Sequence, residues 1–231
     1  MEGTEAPAEK PRKKVAIIGT TPHRVKAPYG DLSWEIWAQA QPDLPRWNRW
    51  FEIHDLKVIQ EKFAYVWTWM KSQDGSRPIY LREPHPEIKG SLAYPRQRMI
   101  DRFDTWHFTS TVAFELAMAI DEGFTDIAMF GIDMADETEY KEQKPGCRTM
   151  VTIAKMLGIS VSVPPECELL VPSKLYALDD PDPSIARLKL KRQELEGRVR
   201  AAATGLEEGK NSVIAMNGAI QMIDHFINNE Y

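Results

Sequence analysis

Between Ser110 and Gly131 the chain passes through a hydroxyl-led apolar helix pattern, a glycine, a short apolar run and a second glycine. Thr109-Ser110 precedes Val112, Phe114, Leu116, Ala117, Met118, Ala119 and Ile120, which reads as a helix stopping at Gly123. Asp126-Ile127-Ala128-Met129-Phe130 then reads as a buried strand ending at Gly131. The same alternation recurs on both sides. Val15-Ala16-Ile17-Ile18 ends at Gly19, and a helix over about Arg148 to Leu157 stops at Gly158 before the strand Ile159–Val163. Glu35–Ala38, Trp50–Ile53 and Pro78–Leu81 supply further strands, with helical character over Val58–Lys71. Strands alternating with helices require crossover connections. The expected fold class is therefore α/β: a Rossmann-like, mostly parallel sheet with helices on both faces.

Composition narrows the rest. At 43% hydrophobic and 27% charged residues the chain is globular. No apolar run approaches the ~20 residues of a membrane span, and the first residues lack a signal peptide's apolar stretch, so the expected compartment is the cytoplasm. Cys147 and Cys167 make neither a disulfide framework nor a metal-ligand spacing. A formal charge of −5 argues against a dominant nucleic-acid footprint.

Three regions are expected. Residues 1–14 read as a flexible tail ending in Lys10, Arg12, Lys13 and Lys14, a solubilising segment or a basic arm for nucleic acid. Residues 15–172 form the Rossmann-like domain. Residues 179–231 carry two amphipathic helices joined near Gly205–Gly209, an αα-hairpin that needs a partner surface and is a candidate homo-oligomer element.

In an open parallel sheet, ligands sit outside the carboxyl ends of the strands. The first connector is Gly19-Thr20-Thr21-Pro22, equally a plain turn or a phosphate loop; no G-x-G-x-x-G or Walker lysine motif accompanies it. His54, after a strand, is a general acid/base, a phosphate contact or a histidine satisfied by a carbonyl. Gly131-Ile132-Asp133-Met134 places a carboxylate at the sheet mouth, to hold ribose or a metal or to cap a turn. Carboxylates near a phosphate loop also suit Mg²⁺. Glu139 and Tyr140 fall on a polar stretch up to Pro145 that reads as a loop, able to act as a lid. Ser110 is an N-cap whose helix also attracts anions. Arg96, Arg98 and Arg102 are phosphate clamps or surface residues. The tryptophans at 34, 37, 47 and 50 interleave with apolar positions and read as packing.

The run Thr109–Thr111, an Ala-rich helix, Gly123–Ile127, a strand and Gly131–Met134 resembles a pattern shared by two groups of proteins. One is the bacterial sialyltransferases that decorate surface glycans. The other is the motility-associated glycosyltransferases with the archaeal 6-hydroxymethylpterin pyrophosphokinase-like proteins. Val15–Leu170 as a whole, with Trp34–Trp37, Arg49–His54 and Glu139-Tyr140, is similar to a group of bacteriophage- and prophage-encoded proteins of no assigned activity. The resemblance covers about two-thirds of the chain and leaves the helical tail outside.

It implies a nucleotide or nucleotide-sugar ligand and glycosyl transfer. Gly19, Thr20, Thr21, Pro22 and Ser110 would lie at the phosphate, and Gly131, Asp133 and Met134 at the nucleoside. Two departures stand out. Thr20 and Thr21 replace the Asn-Gly of the sialyltransferase loop, and no histidine lies between His107 and His225, where those enzymes carry their base. The candidates for that role here are His54, Glu139 and Tyr140. A nucleotide-sequestering protein without turnover, and an oligomeric virion or assembly component with a vestigial site, are the alternatives.

Overall fold

The computed structural model describes residues 12–103, 108–134, 140–164, 167–170, 183–204 and 210–229. The chain divides into two compact units, Met1–Leu169 and Leu170–Tyr231. In the first unit, β1 (Lys14–Ile18), β2 (Trp34–Ala38) and β3 (Arg49–Glu52) are followed by α1 (Leu56–Lys62) and α2 (Ala64–Ser72). Next come β4 (Ile79–Leu81), β5 (Ser91–Ala93), α3 (Arg96–Phe103) and α4 (Thr111–Asp121). The unit continues with β6 (Asp126–Phe130), α5 (Tyr140–Met156) and β7 (Ser160–Ser162).

The strands form one seven-stranded parallel sheet in the order β5-β4-β3-β2-β1-β6-β7. The α/β, Rossmann-like expectation holds. Strand order reverses between β1 and β6, which is the switch point of a doubly wound sheet. Alternation along β1 sends Val15 and Ile17 to one core and Ala16 and Ile18 to another. The larger core joins Trp37, Phe51, Ile127 and Met129 to α4 and α5. On the opposite face Trp50, Ile79 and Leu81 pack on Ile59 of α1 and Val66 and Met70 of α2. Every residue of α4 from Thr111 to Ile120 is buried. Truncating a core residue such as Leu116 to alanine would cost about 2–5 kcal/mol.

Register sets the rim. Ile18 pairs with both Ala38 and Phe130, so Gly19, Gln39 and Gly131 leave the sheet side by side. Ala38 pairs with Trp50, which carries β3 two residues further toward the same edge.

Three readings change, and two elements were not anticipated. The Val58–Lys71 helix is two helices, broken at Phe63. β5 and α3 carry no apolar run that would announce them. The polar stretch from Tyr140 to Pro145 is not a loop: α5 begins at Tyr140, and the buried spacing Cys147, Met150, Val151, Ala154 belongs to a helix that continues back past Pro145. Arg12 and Lys13, read as the end of a flexible tail, pair with Asp126 and Glu122 at 2.9 and 3.5 Å, and Lys14 already belongs to β1.

The second unit holds α6 (Pro183–Thr204) and α7 (Lys210–Asn229), which pack on one another. Arg192 reaches Asp224 at 2.9 Å across them. The expected joint at Gly205–Gly209 lies outside the described residues. Among the described residues no helix is long and apolar enough to cross a membrane.

Candidate functional site

A cavity of about 800 Å³ opens in the first unit above the carboxyl ends of β1, β2, β3 and β6. Its floor is made by Gly19–Thr21, Gln39–Gln41, Ile53-His54 and Gly131–Met134. The N-terminus of α4 walls it from one face of the sheet; Val58, Lys62, Phe63 and Tyr65 wall it from the other. The structure thus brings together Gly19, Thr20, Thr21, His54, Ser110, Gly131, Asp133 and Met134. Pro22 is not among the lining residues and opens a 3-10 helix, Pro22–Lys26.

The first connector is fastened to the fourth. Gly19 N–H donates to Phe130 O at 2.8 Å, and Thr21 N–H donates to Gly131 O at 3.0 Å. A β-carbon on Gly19 would stand 2.3 Å from the Gly131 carbonyl oxygen, and Gly131 itself has φ +67°. Both glycines are therefore required by the joint between connectors, and two of the loop's N–H groups are turned away from any ligand.

Ser110 is the N-cap of α4, with Oγ accepting from Ala113 N–H at 3.2 Å and lying 3.2 Å from Cys147 Sγ. Thr109 Oγ1 donates to Glu142 O at 2.9 Å, tying the start of α4 to α5. Thr111 and Val112 in the first turn line the cavity, so the positive end of the helix dipole faces it. Burial pushes the Cys147 thiol up to about 12.

Asp133 pairs with His23, whose Nδ1 lies 3.3 and 3.4 Å from its two carboxylate oxygens. His54 Nδ1 bonds the Glu52 carboxylate. Glu52 is nearly fully buried, while half of the His54 side chain is exposed. Glu115 of α4 is wholly buried, and among the described residues neither of its carboxyl oxygens has a hydrogen-bond partner. Burial, and then the nearby Glu52 carboxylate, raises its pKa well above the usual 4.5. Glu139 lies outside the described residues, and Tyr140 opens α5. Arg98 and Arg102 both pair with Asp121 and do not line the cavity. Trp37 and Trp50 are buried packing residues.

Backbone strain gathers here. Among the described residues, the non-glycine positions with positive φ are Ala40 (55°) and Met134 (45°), and both line the cavity. Left-handed backbone disfavours residues with a β-carbon and is held in place by its surroundings. The Tyr65 hydroxyl supplies one such restraint, donating to Ala40 O at 3.0 Å. Sequence reasoning missed His23, Glu52, Lys62, Phe63, Tyr65 and Glu115. The Glu52-x-His54 spacing was legible; the pairing of His23 with a residue 110 positions away was not.

No family model matches the chain, and no curated protein matches it. The solved structures similar to it include two of one enzyme. One is the sialyltransferase CstII from Campylobacter jejuni in complex with the substrate analogue cytidine-5'-monophosphate. It is 13% identical, covering 68% of this chain and 80% of that one, with a TM-score of 0.45. The other is the same enzyme in complex with CMP-3FNeuAc, 13% identical over 67% of this chain and 80% of that one, with a TM-score of 0.44.

Proposed function

We propose that the cavity binds a nucleotide or nucleotide-sugar and that the reaction is transfer of a glycosyl group from it. The observation that carries the reading is the convergence of four strand ends, the α4 N-terminus and both strained residues on one space at the switch point. In this reading the free turn of α4, with the Thr20 and Thr21 hydroxyls, receives phosphate, and Asp133 orients the ribose. Lys62, the cationic side chain lining the cavity, adds a point charge for the anion.

Transfer would form a bond from an acceptor hydroxyl to the anomeric carbon and break that carbon's bond to the phosphate oxygen. The acceptor's proton would pass to His54, and the nucleotide would leave as the anion. A phage origin, which the sequence resemblance over Val15–Leu170 implies, would place the protein in the host cytoplasm.

Calorimetry with nucleoside monophosphates and nucleotide-sugars tests the reading. Binding to the wild type, weakened at least tenfold in Asp133→Ala, is expected; an unchanged affinity in that variant would reject the assignment. Recovery of a nucleotide-sugar intact after prolonged incubation with an acceptor mixture would favour sequestration over transfer.

A further inference from the structure

Two aromatic rings on one wall of the cavity stand outside the packing of the fold. Phe63, at the corner between α1 and α2, is 38% exposed and Tyr65 is 50% exposed, and both line the cavity. Neither belongs to any of the three hydrophobic cores, whereas Trp67 and Trp69, further along α2, pack against the second. The backbone that carries Phe63 is nevertheless fixed. Its N–H donates to Ile59 O at 2.9 Å, and its carbonyl accepts from Val66 and Trp67 N–H at 2.8 and 3.2 Å. Tyr65 is anchored at its far end by the hydroxyl bond to Ala40 O. The wall therefore offers preorganised apolar area that only a ligand can bury.

The polar company of these rings is mostly neutral. The amides of Gln39 and Gln41 reach the cavity from the connector after β2, and Lys62 adds the one charge beside Phe63. An aromatic face flanked by amides suits a molecule that is apolar on one face and rich in hydroxyls at its edge. A pyranose is such a molecule: its ring C–H groups lie on a π-face while amides exchange hydrogen bonds with its hydroxyls. Phosphate instead seeks helix N–H groups, which the cavity offers at the start of α4.

We propose that Phe63, flanked by Tyr65, is the platform on which the acceptor docks, and that the acceptor is a carbohydrate presenting the apolar face of a pyranose ring. This rests on the transfer reading above. The placement follows the sheet. Apart from Lys62, the groups given to the nucleotide come from the ends of β1 and β6 and from α4, which leaves the ends of β2 and β3 and the α1–α2 corner for a second molecule. A volume of about 800 Å³ lies in the upper part of the range of ligand sites, roughly 300–1,000 Å³. The ring centroids of His54 and Phe63 are 6.5 Å apart, so a sugar on the platform lies beside the group that receives its proton in that reading.

The test is saturation-transfer NMR on the full chain with the methyl pyranosides of glucose, galactose, mannose and N-acetylglucosamine. Wild type is compared with Phe63→Ala, Phe63→Leu and Phe63→Trp. The expected result is transfer from the wild type to the ring C–H protons of at least one glycoside, weakened about five- to tenfold in Phe63→Ala and kept in Phe63→Trp. Phe63→Leu retains apolar bulk without a π-face and should lose transfer as alanine does, so the outcome does not hang on one variant folding. Calorimetric affinity for nucleoside monophosphates should stay within about twofold of wild type in all three.

No transfer to any of the glycosides in wild type, or undiminished transfer in both Phe63→Ala and Phe63→Leu, would overturn the proposal. So would a tenfold loss of nucleotide affinity in those variants, because the ring would then be stacking a nucleobase. The two readings fail separately. Nucleotide binding without sugar contact rejects this proposal alone; sugar contact without nucleotide binding rejects the transfer reading and leaves the carbohydrate platform standing.

Discussion

Replacing Gly19 by alanine tests whether the cavity floor is a rigid joint. The added β-carbon would stand 2.3 Å from Gly131 O, 2.7 Å from Ile132 Cγ1 and 2.9 Å from the Gly131 carbonyl carbon. Non-bonded carbon contacts relax near ~3.5 Å, so the connectors must separate by about 1 Å. That separation pulls on the bonds from Gly19 N–H to Phe130 O and from Thr21 N–H to Gly131 O, at 2.8 and 3.0 Å. Each is worth about 1 kcal/mol net, and overpacking a fitted site adds about 1–3 kcal/mol. The expected loss is about 3–5 kcal/mol, or roughly 10 °C in Tm for a chain of this size. Urea denaturation followed by circular dichroism measures it. Gly30→Ala is the control, since a β-carbon there meets nothing within 4 Å, and should stay within about 0.5 kcal/mol of wild type. A Gly19→Ala loss under about 1 kcal/mol would refute the joint.

Ala40→Gly removes a left-handed alanine that costs roughly 1–2 kcal/mol, offset by about 0.5–1 kcal/mol of glycine flexibility, so thermal denaturation should show a net gain of about 0.5–1 kcal/mol. Because the Glu115 pKa is raised in the folded chain, its contribution to stability is full below about pH 4.5 and is lost as pH rises through the folded value. Urea midpoints of Glu115→Gln should therefore fall less steeply than wild type between about pH 5 and 8. Cys147, buried and with its thiol pushed up to about 12, should resist a thiol reagent at pH 8 until denaturant is added; prompt labelling of the folded chain at that residue would contradict its placement. Leu190, Met222 and Phe226 lie exposed on the helical hairpin, and if they mediate self-association, Phe226→Glu should lower the mass measured by light scattering.

The readable parts of the fold were those whose burial is local. β1 and β6 are mostly apolar runs closed by glycine, and α4 is apolar along most of its length. β5 is an edge strand of Ser91, Leu92 and Ala93 with two exposed residues, which leaves no pattern to read. The break at Phe63 involves neither proline nor glycine, so nothing local signals it. Much the same holds at the site. His54 was visible because it follows a strand, and Glu52 two positions earlier could have been found from alternation. His23 directly follows the first loop, yet its partner comes from another strand end. Glu115 is a lone polar residue within the apolar stretch of α4, and only the packing around all sides of α4 shows that it has no water to face.

That enclosure of α4 has a consequence for how such a protein could change its preferences. A rod gripped along its whole length cannot swing, so the pole it offers to an anion is a fixed post. The opposite bank is another matter: Phe63 and Tyr65 are open to solvent at a corner between two short helices. Divergence toward new ligands should therefore accumulate on that bank, while the anchored one stays as it is.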